Sequence, residues 1–414
     1  MRSTATVAVL LTGLVACGRD PVTFTDAGSV DATSFDGAGE GGATVTVRVR
    51  SLDGSGAPDP TATVFFVDPD GTVATQGQPD AAGAATGTMV PGGSVTVAWQ
   101  GPPATLRTIF AVDDGDTLIF GPDDIARDQA VTIELPVRPG ATQYSITGSC
   151  MAGSATQPTL VATFSRACGS TRPLLAEARS PGRIDYLSAP AVTPVDGGRI
   201  TLTGAWAAAT TASVDFVGLP ATTPGLVIER HLYAGGGHAH VAFVVNPPVI
   251  AGATTATFGA PPGFGDTTAL RVSYDDPTAA GELILVAYRP SASEAAPIDV
   301  TSSIPDVGEV TQTDRTLSWT LSGGGDVDAV VIDTIETARG VAQRAWTVVA
   351  PPTVTSVALP VLPAPYDFPV RATRTQLIDV STYAGYDDAK PRAGVDDWEP
   401  RPLPTAVRVV IRSR

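Results

Sequence analysis

The sequence predicts an all-β protein built of tandem antiparallel β-sandwich modules. Two observations carry this expectation. Short runs rich in Val, Thr and Ile recur along the 414 residues, and 43 Gly and 36 Pro punctuate them, which is how short strands and tight turns are written. Apolar positions at helical spacing are scarce by comparison, so no layer of helices is expected.

The chain opens with "MRST", one positive charge at Arg2, then the apolar run "ATVAVLLTGLVA" and Cys17. This has the shape of a secretory signal and is too short to cross a bilayer as a helix. Its last four letters, "LVAC", place the small residue Ala16 before Cys17 and resemble the lipobox of bacterial lipoproteins. The resemblance implies a signal peptide over residues 1–16, acylation of Cys17, and an address in the cell envelope at the outer membrane of a Gram-negative bacterium. Each buried methylene of an acyl chain contributes about 0.8 kcal/mol, so several chains hold the protein stably. The alternative is an ordinary signal peptide with a chance cysteine, or a short buried segment. The next most apolar stretch, "VAFVVNPPVIAGA", is broken by Asn246, Pro247 and Pro248.

Residues 17–43 read as a disordered acidic linker. Asp20, Asp26, Asp31, Asp36 and Glu40 face Arg19 as the one basic residue, with Gly, Ala, Ser and Thr between them. Such a segment buries too little apolar surface to offset its ordering entropy. Within it "GAGEGG" matches GxGxxG at Gly37, Gly39 and Gly42, but the flanking strand and helix that a nucleotide site needs are not written around it.

The formal net charge is −16, and with no basic stripe a nucleic-acid partner is not expected. Lys390 is the sole lysine, which removes the P-loop and leaves one residue, in the loop-like "YDDAKPRAG", for any Schiff-base chemistry. GxSxG, HExxH and CxxC are absent from the sequence, so those hydrolase and redox templates fail on their own residues. With Cys17 acylated, Cys150 and Cys168 remain; an even pair in an oxidising compartment reads as a disulfide.

Three modules follow the linker. Residues 44–137 run from "TVTVRVRSLDGSGAPDPTATVFFVDPDG" to "GTMVPGGSVTVAW". A first strand, a turn with Gly56 and Pro58, a strand around Val64 and the Pro91-Gly92-Gly93 turn resemble the transthyretin-like modules called carboxypeptidase regulatory-like domains. The related pilin-type modules carry a Lys-to-Asn crosslink, for which this unit has no lysine. Residues 138–305 hold enough strands for one more sandwich, of no assigned family. Residues 306–414 contain "RTLSWTLSGGGDVDAVVIDT" and "VTSVALPVLPAPYDFPVRATR", which resemble fibronectin type III. That resemblance implies Trp319 in the core, Tyr366 as a corner tyrosine, and Leu359 and Leu362 beneath it. A long loop carrying Trp398 precedes the last strand, "TAVRVVIRSR"; it is a candidate binding surface or a loop folded back on its own module.

The strongest chemical lead is "ERHLYAGGGHAHVAF", which contains His231, His238 and His240, all the histidines of the chain. Alternation puts Leu226, Ile228, Arg230 and Leu232 on one face of the first strand, and Val227, Glu229, His231 and Tyr233 on the other. In the second strand Ala239, Val241, Phe243 and Val245 are the apolar set. If "AGGG" closes a hairpin with Tyr233 opposite His238, then His231 falls opposite His240 and the three imidazoles share a face. Such a set suits Zn²⁺ or Cu²⁺ with an open position for water, and Glu229 as base or second partner. A longer loop would shift the register and split them. The competing reading is the solvated face of an ordinary hairpin. Acidic pairs at Asp113 and Asp114, Asp123 and Asp124, Asp275 and Asp276, and Asp387 and Asp388 could take Ca²⁺, or serve turns by local hydrogen bonding.

These features predict a lipid-anchored envelope protein that displays β-sandwich modules to a protein, glycan or envelope partner, without catalysis. The other class left open is a metal-binding protein or metallohydrolase using the histidine hairpin.

Overall fold

The computed structural model describes residues 42–414 except 54, 102–103, 122–128, 149–150, 165–170, 235–236, 276–281, 302–305, 308–309, 314, 323–328, 339–340, 352, 367–374, 385–391, 394–405 and 414. Cys17, Cys150, Cys168, Lys390 and Trp398 lie outside the described residues, as do the linker and the signal segment. The described chain is all-β; its helical content is a 3₁₀ turn at Ser291–Ser293. No helix among the described residues is long and apolar enough to cross a membrane.

One twelve-stranded sheet runs through most of the protein. Its order is Gly237–Val245, Val227–Ala234, Thr267–Asp275, Glu282–Pro290, Ala406–Ser413, Thr375–Ala384, Ala329–Ala338, Val341–Ala350, Ala104–Val112, Gly93–Trp99, Thr63–Val67 and Val73–Gly77. Every neighbouring pair is antiparallel except one. Val341–Ala350 lies parallel to Ala104–Val112, with Arg344 beside Ala104 and Val349 beside Ile109.

Smaller sheets cover this one and close the cores. At the N-terminal end, Ala43–Val49, Ala84–Met89 and Thr117–Phe120 pack over it. They enclose Val45, Val47, Val64, Phe66, Val95, Val97, Leu118 and Phe120. Gly87 leaves room there for a ring: a Cβ at that position would stand 2.3 Å from Phe66 Cδ2. At the other end Thr210–Val217, Thr254–Ala260 and Ile298–Asp299 cover the sheet around Phe216, Ile228, Phe258 and Leu270.

The region 138–305, expected as one sandwich, divides into two cores. That second core is one of them, and the other belongs to a separate eight-stranded sheet from Gln129–Glu134 to Ala207–Ala208. Ile133, Ile146, Leu160, Phe164, Leu174 and Leu187 all project from this one sheet into one cluster, so the sheet curls around its own core. The alternation that suggested "strands enough for one sandwich" does not say how many cores they enclose.

The terminal modules also differ from the expectation of two independent sandwiches. Phe65, Val67, Ala98 and Leu106 turn away from the N-terminal core and join Leu317, Trp319, Val330, Ile332, Trp346, Leu359, Leu362 and Tyr366 in a common core. Thr63–Val67 and Gly93–Trp99 are thus buried on both faces, which is why "TVFFV" and "SVTVAW" are nearly continuous apolar runs. Trp319, Leu359 and Leu362 are buried as expected. Tyr366 is buried too, and among the described residues its hydroxyl finds its partners outside its own module. It meets Thr63 Oγ1 at 3.0 Å and accepts from Gln100 Nε2 at 2.9 Å, both in the N-terminal module.

Candidate functional site

The histidine hairpin forms the edge of the twelve-stranded sheet, from Val227–Ala234 and Gly237–Val245. Tyr233 pairs with His238, as the "AGGG" turn predicts. A β-bulge follows at once, so that Leu232 pairs with His240 and His231 with Val241. The expected His231–His240 pairing is therefore replaced. One extra residue in a strand reverses the parity of everything beyond it, and His231 and His240 fall at register positions of opposite parity. His231 and His240 are thus not directly opposed in this register. Among the described residues no group of three or more His, Cys, Asp or Glu is placed to hold a metal ion.

The same slip exchanges the apolar sets. Ala242 and Val244 pack against the core, while Phe243 is 67% exposed and Val245 54%. The sequence offers both alternations, and the facing sheet already fills the core with Phe216 and Phe258. Ala242 and Val244 are the side chains turned toward that core, and the large Phe243 is turned outward. The first strand keeps the expected faces: Leu226, Ile228, Arg230 and Leu232 are all buried.

On the outer face, Glu229 Oε2 accepts from His231 Nε2 at 2.8 Å and from Arg271 Nη1 at 3.2 Å. The hydrogen bond from His231 holds the Glu229 carboxyl below the ordinary range against the opposing effect of burial, with help from the Arg271 charge. Phe243 is the cross-strand partner of Glu229, so an exposed aromatic lies beside this compact charged group. Val245 lies two residues further along the strand, and Ile250, 75% exposed, is in the loop that follows.

Beneath the hairpin lies an ion pair that sequence reasoning missed. Arg230, 4% exposed, bonds both oxygens of Glu294, with Nε to Oε1 and Nη2 to Oε2 at 2.7 Å. Glu294 follows the 3₁₀ turn, and Thr268 Oγ1 stands 3.4 Å from its Oε2. Arg230 Nη1 is buried without a hydrogen-bond partner. The signal was available: an arginine on the apolar face of a strand requires a carboxylate nearby. Its position 64 residues away, in "SASEAAP", was not legible.

The hairpin also adjoins the eight-stranded sheet, since Gly237–Val245 approaches Gln143–Gly148 and Arg172–Ser180. Glu177 and Tyr186, cross-strand partners there, are each 3% exposed. Arg179 holds Glu177 through Nη2 at 2.8 Å. Burial, and the nearby Glu177 charge, push the Tyr186 hydroxyl up to about 12.

Hydrogen bonds of the acidic turn at 113–116 tie it to the first strand and to itself. Asp114 Oδ1 accepts from the Thr44 N–H at 2.7 Å and Asp116 Oδ2 from the Asp113 N–H at 2.9 Å. Asp123, Asp124, Asp276, Asp387 and Asp388 lie outside the described residues.

No protein-family model and no curated protein matches the chain. Among solved structures, the Bacillus anthracis TIE protein is similar at 9% identity, over 63% of this chain and 50% of that one, with a TM-score of 0.16. A Streptococcal ancillary pilin is similar at 11% identity, over 62% of this chain and 98% of that one, with a TM-score of 0.17. The chain thus spans about half the length of the first. TM-scores this low carry nothing from either protein to this one. The class that the structure defines on its own is an all-β, multi-core protein with an apolar and charged surface at one sheet edge.

Proposed function

We propose that the protein is a lipid-anchored cell-envelope protein that binds a protein or glycan partner through the outer face of the histidine hairpin. The observation that carries the binding surface is Phe243, largely exposed on an edge strand beside the Glu229–His231–Arg271 group. Large apolar side chains clustered at a surface and flanked by charge are typical of contact sites. The anchor rests on "LVAC" and its resemblance to a lipobox, with Cys17 as the acylated residue and residues 18–43 as the tether. Cys150 and Cys168, in this compartment, form a disulfide.

Sedimentation with isolated envelope fragments tests the surface. A soluble form beginning at residue 44 co-sediments, and Phe243→Ser with Val245→Ser loses the binding while keeping the wild-type thermal unfolding curve. Equal sedimentation of the variant overturns the assignment of the surface. Fractionation tests the anchor separately: Cys17→Ser moves the intact protein from membranes to the soluble fraction, and unchanged partitioning overturns lipidation.

A further inference from the structure

The two ends of the chain meet across long sequence separations. Trp346 Nε1 donates to Thr108 Oγ1 at 2.9 Å across 238 positions. Tyr366 meets Thr63 across 303 and Gln100 across 266, and its ring stands edge-on to Phe65 with centroids 5.5 Å apart. One edge of each sheet of the N-terminal sandwich is taken by a C-terminal strand: Ala104–Val112 by Val341–Ala350, and Thr117–Phe120 by Arg392–Ala393, each in parallel.

We propose that residues 306–413 act as a strap that completes the N-terminal sandwich, so that the two ends fold as one cooperative unit. Without the strap, Phe65, Val67, Ala98 and Leu106 lose the side chains that cover them, and the Ala104–Val112 edge is left open to pair with other chains. Closing such long loops is entropically slow compared with forming local contacts. The stretch 129–202 has no such debt to the C-terminus, because all of its core lies within itself. The N-terminal and C-terminal ends therefore open together, and the stretch 129–202 opens independently of them.

Hydrogen exchange on the full chain tests this. Leu317→Ala removes a fully buried side chain from the strap, and truncations of this kind accelerate exchange through cooperative opening by about thirtyfold or more. Peptides covering 63–67, 93–99 and 104–112 exchange faster in step with 329–350, while 143–148 and 159–164 keep their wild-type rates. Acceleration confined to 306–413, or shared equally by 143–164, overturns the proposal. Should Leu317→Ala fail to fold, Tyr366→Phe, which deletes only the bridging hydroxyl, produces the same pattern at smaller amplitude. Wild-type rates at 63–67 and 93–99 in that variant also overturn it. In the reverse direction, Val64→Ala in the N-terminal core accelerates exchange at 341–350, and a response limited to 43–120 counts against the strap.

Discussion

Trp346 and Thr108 lie on neighbouring parallel strands, and the indole N–H of one donates to the hydroxyl of the other. Thr108 is itself fully buried and shares a 2.8 Å hydrogen bond with Thr96. A polar chain inside the sheet therefore runs from the C-terminal module into the N-terminal one, and its members are too buried to exchange partners with water. Trp346→Phe keeps most of the ring and leaves Thr108 with the Thr96 bond. The expected cost is about 1 kcal/mol. A double-mutant cycle with Thr108→Val in urea unfolding should return a coupling of about 0.5–1.5 kcal/mol; additive losses would mean that the bond contributes nothing.

The buried Arg230–Glu294 pair makes a different prediction, because desolvation opposes the attraction. Removing one partner strands a charge in the core, so Glu294→Ala should cost about 3–5 kcal/mol. Replacing both by apolar residues, Arg230→Met with Glu294→Leu, should recover most of that loss, the more so because Arg230 Nη1 has no hydrogen bond to lose. Thermal unfolding by circular dichroism distinguishes the cases. A double variant as unstable as the single one would show that the pair is favourable beyond its shape.

Asp333 sits among the strands near the same junction, where burial raises its pKa above the ordinary 3.8 despite a hydrogen bond from Thr347 and the Arg107 charge. A raised carboxyl binds its proton more tightly in the folded state. The folded form is then penalised as pH rises from 3.8 through the folded pKa, and the penalty is absent at lower pH. Asp333→Asn should stabilise the protein at pH 7, by an amount that shrinks toward zero as pH falls to about 4. Denaturant midpoints at pH 4 and pH 7 check this; an equal effect at both would remove titration as the cause.

Glu229 has the opposite sign. Its depressed pKa means stabilisation that is present above the unfolded value of 4.5 and lost as pH falls through the folded one. Glu229→Gln should therefore destabilise the chain near neutral pH and become indistinguishable from wild type in acid. With both groups about one-fifth exposed, solvent screening keeps the expected loss to about 1 kcal/mol. A loss that persists unchanged below pH 3 would point to packing instead of charge.

How much of this was legible depends on which interactions are local. The all-β class, the buried face Leu226-Ile228-Arg230-Leu232 and the Tyr233–His238 turn pairing follow from period and turn chemistry, and the structure has them. The bulge beside Tyr233 does not follow, because "HAHVAFVV" carries two apolar alternations, and the one that packs inward meets a core built with Phe216 and Phe258 from another sheet. The expected His231–His240 pairing is replaced with that choice. Tyr366 was legible as a buried tyrosine, but its partners Thr63 and Gln100 were not, since nothing in the local spacing encodes a contact some 300 residues away. The doubly apolar strands "TVFFV" and "SVTVAW" held the missing information: a strand covered on both faces announces a third layer, here supplied by the far end of the chain.

The exchange of apolar sets in the hairpin can be tested by two phenylalanines that the sequence treats alike. Phe243 was expected in the core and is 67% exposed, whereas Phe258 is 3% exposed and packs with Phe216 and Ile228. Deleting a buried ring removes its transfer energy and leaves a cavity, so Phe258→Ala should cost about 3–5 kcal/mol. Phe243→Ala removes a ring already in water and should change stability by less than about 0.5 kcal/mol. Under the unbulged register the two costs would be similar, because Phe243 would then face the same core. Urea unfolding of the two variants side by side decides between the registers: near-equal losses would place Phe243 inside and return His231 and His240 to one face, while a loss confined to Phe258→Ala leaves Phe243 outside, on the face through which the protein is proposed to bind.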